Sequence, residues 1–164
     1  MIELLVLDVD GCMTDGSIIY TQNGDEIKAF NVKDGLAIVS WIRMGKKVAI
    51  ITGRESKIVE KRARELGIQH LRQGIRDKER ELKMILEAEK LTFDNVAVIG
   101  DDLNDYHMLR LAKRSFTPAN GVAYIQALVQ TVLGKKGGDG CIREMIDIIV
   151  AEEGLEEEFL KQWL

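Results

Sequence analysis

Cysteine, proline and histidine are all scarce in this chain of 164 residues, with two cysteines, one proline and two histidines. Two cysteines cannot build the disulfide framework of a small secreted domain. Neither Cys12 nor Cys141 has the arginine six positions on that a cysteine phosphatase uses to hold phosphate; those places carry Ile18 and Asp147. His70 and His107 lie too far apart for a local metal motif. Basic charge is in deficit, 23 Lys and Arg against 27 Asp and Glu, which argues against a nucleic-acid partner. No apolar run approaches bilayer length. Glu3 and Asp8 interrupt the first one before it can act as a secretory signal, so a cytoplasmic location is expected. Also missing are a G-x-G-x-x-G dinucleotide fingerprint and a P-loop, since both Gly-Lys-Lys stretches lack the following Ser or Thr. There is no internal repeat or low-complexity tract. The length and the 46% apolar content fit one domain with a single core.

What is present alternates between short apolar runs and amphipathic segments. Residues 2–8 (IELLVLD), 47–52 (KVAIIT) and 95–101 (NVAVIGD) read as strands buried on both faces. Residues 69–74 and 114–118 are weaker strand candidates. Helices are expected over 34–44 and 56–66, each followed by a glycine, then over 78–91, 103–113, 121–129 and 140–153. This order predicts an α/β fold, a Rossmann-like doubly wound parallel sheet with helices on both faces. One segment departs from it. Residues 17–32 have strand-like ends around Asn23-Gly24, a two-residue hairpin signal, so a β-hairpin should project just after the first strand. Residues 133–141 read as a mobile glycine-rich loop. The expected division is one domain over 1–153, its hairpin flap at about 17–32, and a C-terminal tail over 154–164.

In open parallel sheets, ligands bind beyond the carboxyl ends of the strands. The first strand delivers Asp8 and Asp10 there. The second delivers Thr52, Gly53 and Arg54. The third delivers Asp101 and Asp102, with Asp105 just behind, and Lys78 opens a helix after the intervening strand. Carboxylates gathered at one edge repel and raise one another's pKa, so a cation is implied. An all-oxygen donor set favours Mg²⁺. Lys78 suits phosphate oxygens, Thr52 offers a hydroxyl, and Gly53 lets backbone N–H groups approach. Lys78 has charged neighbours at Glu79, Arg80, Glu81 and Lys83; only its place relative to the other motifs selects it, with Lys83 as the alternative. An aspartate can form an aspartyl-phosphate, and a second carboxyl two residues on can act as acid and base.

The run "DVDG", "ITGR", Lys78 and "GDDLND", in order at strand ends, resembles the four motifs of the haloacid dehalogenase superfamily. The resemblance implies that Asp8 is nucleophile and metal ligand. It implies that Asp10 is the acid/base and offers its backbone carbonyl to Mg²⁺, and that Asp101 is a direct metal ligand. Thr52 and Lys78 would hold the phosphoryl group. Gly53, Asp102 and Asp105 would support them, the two acids either through metal-bound water or by orienting Lys78. Asp105 has a plainer reading too, as an acid favoured at a helix N-terminus. Only the hairpin and one helix separate Asp10 from Thr52, and one helix and one strand separate Lys78 from Asp101, so no cap domain fits.

This capless form, with "NGDEIKAFNVKDGLAI" and "KKGGDGCIREMID", resembles the 3-deoxy-D-manno-octulosonate (KDO) 8-phosphate phosphatases over about residues 3–150. That implies a phosphatase of lipopolysaccharide precursor synthesis and a homotetramer in which a neighbouring subunit covers the active site. Arg54, beside the motif Thr52-Gly53, suits the carboxylate of an eight-carbon sugar acid; relatives acting on the nine-carbon acid tend to carry Glu there. Lys33, Asp34 and Arg143 are further substrate-contact candidates. Asn120 and the acidic tail depart from the group's usual pattern. Leu155, Phe159, Leu160, Trp163 and Leu164 in the tail pack either on their own core or on a neighbouring subunit. A second class of protein shares much of this chemistry, the receiver-like phospho-acceptor module. Its acceptor, however, sits typically on the third strand, and a long-lived phospho-switch would avoid the acid/base that Asp10 supplies.

Overall fold

Alternation along one strand organises both halves of the molecule. In the computed structural model, which describes residues 1–164, Leu4–Leu7 forms β1 with all four side chains buried. Successive strand side chains point to opposite faces. Leu5 and Leu7 therefore join one core, and Leu4 and Val6 the other. A small antiparallel hairpin follows, Ile19–Tyr20 (β2) against Glu26–Ile27 (β3). The remaining strands are Lys47–Ile51 (β4), His70–Arg72 (β5), Val96–Ile99 (β6), Arg114–Thr117 (β7) and Thr131–Val132 (β8). With β1 they form one parallel sheet in the order β5-β4-β1-β6-β7-β8. The chain steps outward from β1 in both directions, which puts the topological switch at the end of β1.

Helices Val32–Arg43 (α1) and Lys57–Leu66 (α2) cover the first face. Lys78–Glu89 (α3), Tyr106–Leu111 (α4) and Ala123–Gln126 (α5) cover the second. Cys141–Glu152 (α6) returns to the first face, and the short Glu156–Leu160 (α7) follows it. Each large apolar side chain fully withdrawn into these cores contributes about 1.5–3 kcal/mol. The expected doubly wound sheet with a projecting hairpin and no cap domain is the architecture found. No helix is long and apolar enough to cross a membrane.

Local chemistry accounts for the element ends. Ser56 caps α2 by accepting from Ile58 and Val59 N–H, and Gly67 closes it at φ 74°. Asn31 accepts from Lys33 and Asp34 N–H, so α1 starts two residues before the expected 34. The helix expected over 103–113 is shorter. It opens as a 3₁₀ turn at Leu103–Asp105, and Lys113 N–H already bonds Phe93 O on the way to the sheet. The one over 121–129 shrinks to α5.

Two further expectations are corrected. The hairpin does not turn through Asn23-Gly24 alone. Thr21 O accepts from Gly24 N–H at 3.0 Å, Thr21 N–H donates to Asp25 O at 2.8 Å, and only Gly24 has a positive φ, 86°. That is a type I turn with glycine in the left-handed position after it, the three-residue solution. The glycine-rich 133–141 segment is anchored rather than loose. Gly138 N–H donates to Cys12 O at 3.0 Å, Gly137 N–H to Asn120 Oδ1 at 3.2 Å, and Cys141 Sγ lies 3.1 Å from Cys12 O. A side chain at Gly137 would overlap the backbone of Gly11, and one at Gly138 that of Thr14 and Asp15, so these two glycines serve close approach. The tail docks on its own chain. Phe159 is buried, Trp163 Nε1 donates to Ser40 Oγ at 2.7 Å, and Arg43 stacks 4.5 Å over the Trp163 ring.

Candidate active site

β1, β4 and β6 end side by side, and their next residues share one cavity of about 280 Å³. Asp8, Asp10, Thr52, Gly53, Arg54, Asp101 and Asp102 all line it. Asp8 N–H bonds Ile99 O at 3.3 Å, which ties the first carboxylate to the β6 end. The chain then turns sharply at Gly11, φ 93°, and a methyl group there would overlap the Asp101 carboxylate. Thr14 Oγ1 holds the turn, accepting from Gly11 and Gly16 N–H. Gly11 thus lets Asp101 come in against the loop that carries Asp8. Thr52 is buried and fixed by backbone bonds to Arg72 and Ile75. Gly53 has ordinary space around it, with the nearest atom to an added Cβ at 3.7 Å, so it keeps the cavity open rather than relieving a clash.

Lys78, the first residue of α3, is buried. Its Nζ lies 2.9 Å from Asp8 Oδ1 and 2.7 Å from Asp105 Oδ1. The other oxygen of Asp105 accepts from Asp101 N–H at 2.9 Å and Asp102 N–H at 3.4 Å. Gly100 makes room for this, because a side chain there would overlap the Asp105 carboxyl. Of the alternatives open for Asp105, the geometry is that of an anchor for Lys78 and for the loop bearing Asp101. Lys83, the alternative to Lys78, instead faces solvent and pairs with Glu79 at 2.6 Å. Asp102 is exposed and caps the 3₁₀ turn through Leu103 N–H.

The charges explain what the cavity accepts. Burial raises the Asp8 pKa well above the ordinary range, Asp105 and Asp101 push the same way, and Lys78 opposes them. Asp101 is pushed up to about 6, first by burial and then by Asp105, with a hydrogen bond from Asp8 opposing. Burial works against the Lys78 charge, but Asp8 and Asp105 outweigh it and hold the ammonium protonated. One cation thus faces three acids, and a divalent ion between Asp8 and Asp101 would relieve the excess. Ligand atoms of Asp8, Asp101 and Cys12 lie within 4.8 Å of one another. Cys12 is fully buried, and burial followed by the nearby carboxylates pushes its thiol well up, so it stays protonated and offers no thiolate. The remaining donors are oxygen, and they fit Mg²⁺.

Arg54 lies at the rim, with Nη2 3.1 Å from Glu26 and Nε 4.0 Å from Asp10 Oδ2. The structure does not bring Lys33, Asp34 or Arg143 to this cavity. Lys33 and Arg143 line a separate groove of about 610 Å³ between the starts of α1 and α6. Arg143 Nε pairs with Asp147 at 2.9 Å. Asp34 is buried and accepts from Arg143 N–H at 2.8 Å, a helix-packing position. Sequence reasoning missed Lys28, whose Nζ reaches Asp10 Oδ1 at 2.6 Å from β3's end, and missed its partner Glu26 at 3.0 Å. The signal was there, since two-residue alternation puts 26 and 28 on one face of the hairpin.

A parallel sheet carrying an aspartate pair, a buried lysine and a further acid at one edge defines a haloacid dehalogenase-like hydrolase, and residues 72–145 match that family. The chain is 40% identical over 157 residues to the 3-deoxy-D-manno-octulosonate 8-phosphate phosphatase KdsC of Escherichia coli K12, covering 96% of this chain and 84% of that one. It is also similar to the crystal structure of the Moraxella catarrhalis 3-deoxy-D-manno-octulosonate 8-phosphate phosphatase in complex with magnesium ion, phosphate ion and KDO. That match has TM-score 0.95 and 37% identity and covers 99% of this chain and 94% of the other. The cobalt-bound Haemophilus influenzae deoxy-D-mannose-octulosonate 8-phosphate phosphatase gives TM-score 0.90 and 34% identity, over 97% and 96%. The chain belongs to the family of these KdsC-type phosphatases.

Proposed function

We propose that this chain is a Mg²⁺-dependent phosphatase that hydrolyses 3-deoxy-D-manno-octulosonate 8-phosphate to KDO and inorganic phosphate, in lipopolysaccharide precursor synthesis. The observation that carries the reading is the buried Asp8 carboxylate, held by Lys78 at 2.9 Å, opening into the cavity that Asp10, Thr52 and Asp101 share. Asp8 and Asp101 carboxylates and the Asp10 backbone carbonyl would hold Mg²⁺, which neutralises charge on the transferring phosphoryl group.

Asp8 attacks phosphorus, and the bond from phosphorus to the sugar oxygen breaks. Asp10 gives that oxygen its proton, so the sugar leaves as an alcohol. Asp10, now a carboxylate, takes a proton from water as the water attacks the aspartyl-phosphate. The bond from phosphorus to Asp8 breaks, and inorganic phosphate and the free carboxylate are regenerated. Lys78 and Thr52 hold the phosphoryl oxygens through both steps. Arg54 at the rim meets the carboxylate of the sugar acid.

Water exclusion without a cap calls for a cover. The reading includes a homotetramer whose neighbouring subunit supplies it, in the cytoplasm. Exposed Ile18, Ile19, Tyr20 and Ile27 on and beside the hairpin support a contact there. The test is a phosphate-release screen over eight- and nine-carbon sugar-acid phosphates with wild type and Asp8→Asn. Mg²⁺-dependent turnover of the eight-carbon ester, lost in Asp8→Asn, is expected. Preference for the nine-carbon ester would reassign the substrate, and no turnover of either would overturn the activity.

A further inference from the structure

The geometry points to Lys28 as a positioning residue that aims the Asp10 carboxyl, an inference that rests on the phosphatase reading above. The hairpin strand β3 runs Glu26-Ile27 and Lys28 follows. Alternation turns Ile27 outward, where it is exposed, and turns Glu26 and Lys28 toward the cavity. Lys28 spends its charge inward. Its side chain is only 1% exposed, its Nζ lies 2.6 Å from Asp10 Oδ1 and 3.0 Å from Glu26 Oε1, and neither partner belongs to the pair that holds Lys78. Glu26 is in turn gripped by Arg54 Nη2 at 3.1 Å. A surface lysine left to itself would keep its ammonium in water. Here a whole hairpin delivers one ammonium to one oxygen of Asp10.

That choice of oxygen has a consequence for proton transfer. Oδ1 is engaged by Lys28, whereas Oδ2 has only the distant Arg54 Nε, 4.0 Å away. With Oδ1 anchored, the carboxyl plane is fixed and Oδ2 is the oxygen free to carry the proton to the departing sugar oxygen and to take one back from water. Asp10 itself sits on a tight loop with no other side-chain partner closer than this lysine. The flap therefore does more than fill space near the substrate. It completes the aim of the acid/base from outside the sheet.

The test compares two substrates with wild type, Lys28→Met and Lys28→Arg. One is the sugar-acid phosphate, whose alcohol leaving group needs a proton. The other is p-nitrophenyl phosphate, whose leaving group does not. kcat/KM reports the chemistry through formation of the aspartyl-phosphate. Lys28→Met is expected to lower it about 10- to 100-fold on the sugar ester, a fraction of what acid catalysis supplies, and less than about threefold on the aryl ester. On the aryl ester the slowed water attack then lets acid-stable-quenched phosphoenzyme accumulate. Lys28→Arg restores most of the sugar-ester rate. Equal losses on both substrates, or no loss on either, overturn the positioning role. Should Lys28→Met fail to fold by its melting curve, Lys28→Gln carries the same comparison. A wild-type chain that turns over neither ester and forms no phosphoenzyme overturns the phosphatase reading, and this inference with it.

Discussion

Lys78 Nζ and Asp105 Oδ1 lie 2.7 Å apart with both side chains essentially out of contact with solvent. The pair is a support, because the same ammonium reaches Asp8 while the other Asp105 oxygen ties down Asp101 N–H. Without Asp105, Lys78 keeps Asp8 as its partner, so the loss is that of the buried hydrogen bonds Asp105 accepts from Lys78, Asp101 N–H and Asp102 N–H, about 1–3 kcal/mol. Asp105→Ala is expected to lose that much in urea unfolding and at least 100-fold in kcat. Asp105→Asn should recover part of the stability and little of the rate. Full activity in Asp105→Ala would show that Lys78 needs no anchor.

The acid excess around Asp8 predicts that Mg²⁺ stabilises the folded chain as well as activating it. A ligand at one hundred times its dissociation constant that binds only the folded state adds about 2.7 kcal/mol. The melting temperature should rise with Mg²⁺ and fall back with chelator, and phosphate release should follow it. Asp101→Asn should abolish both effects. Gly11→Ala should abolish them too, without touching any charge, because its methyl group displaces the Asp101 carboxylate. A Mg²⁺-dependent melting shift that survives in both variants would place the ion elsewhere.

Arg54 stands at the mouth of the cavity between Glu26 and Asp10. Arg54→Glu replaces a guanidinium, suited to a carboxylate, by a charge that repels one. The kcat/KM for the eight-carbon ester should fall at least tenfold, about 1.4 kcal/mol, and the preference should move toward the nine-carbon ester. An unchanged ratio would remove Arg54 from substrate recognition.

Asp34 gives a pH signature away from the cavity. Burial pushes it up to about 6, against the opposing hydrogen bond from Arg143 N–H and the Arg62 guanidinium. The folded chain thus holds this proton more tightly than the unfolded chain, whose aspartate titrates near 4. The group's contribution to stability is complete below about pH 4 and is lost as pH rises through about 6. Two pKa units correspond to roughly 2.7 kcal/mol. The stability of Asp34→Asn relative to wild type, measured by urea unfolding, should therefore climb by about 2–3 kcal/mol between pH 4 and pH 8. A flat difference would show that Asp34 is solvated or better paired than its burial implies.

Much of the molecule was written in local pattern. Continuous apolar runs at 2–8, 47–52 and 95–101 predict strands covered on both faces, and the residues that follow them must fall at one edge. That is why Asp8, Thr52 and Asp101 could be grouped, and why oxygen donors alone pointed to Mg²⁺. Gly67 marked a helix end because capping is a property of neighbours, whereas the cap at Ser56 showed only in the structure. Strand β8 was illegible, since two residues carry no period.

What the tertiary structure alone decided is everything that depends on distance across the sheet. It brought Asp105, which stands at the N-terminus of α4 as well, against Lys78. It brought Lys28 from the flap to Asp10, and packed Gly137 and Gly138 against the loop over 11–15. It sent Lys33 and Arg143 to a different groove, and folded Trp163 back onto Ser40. Sequence fixes which side of a strand or helix a residue occupies, because that follows from two dihedral angles per residue. Which partner waits there depends on chain segments tens of residues away, and only packing brings those together.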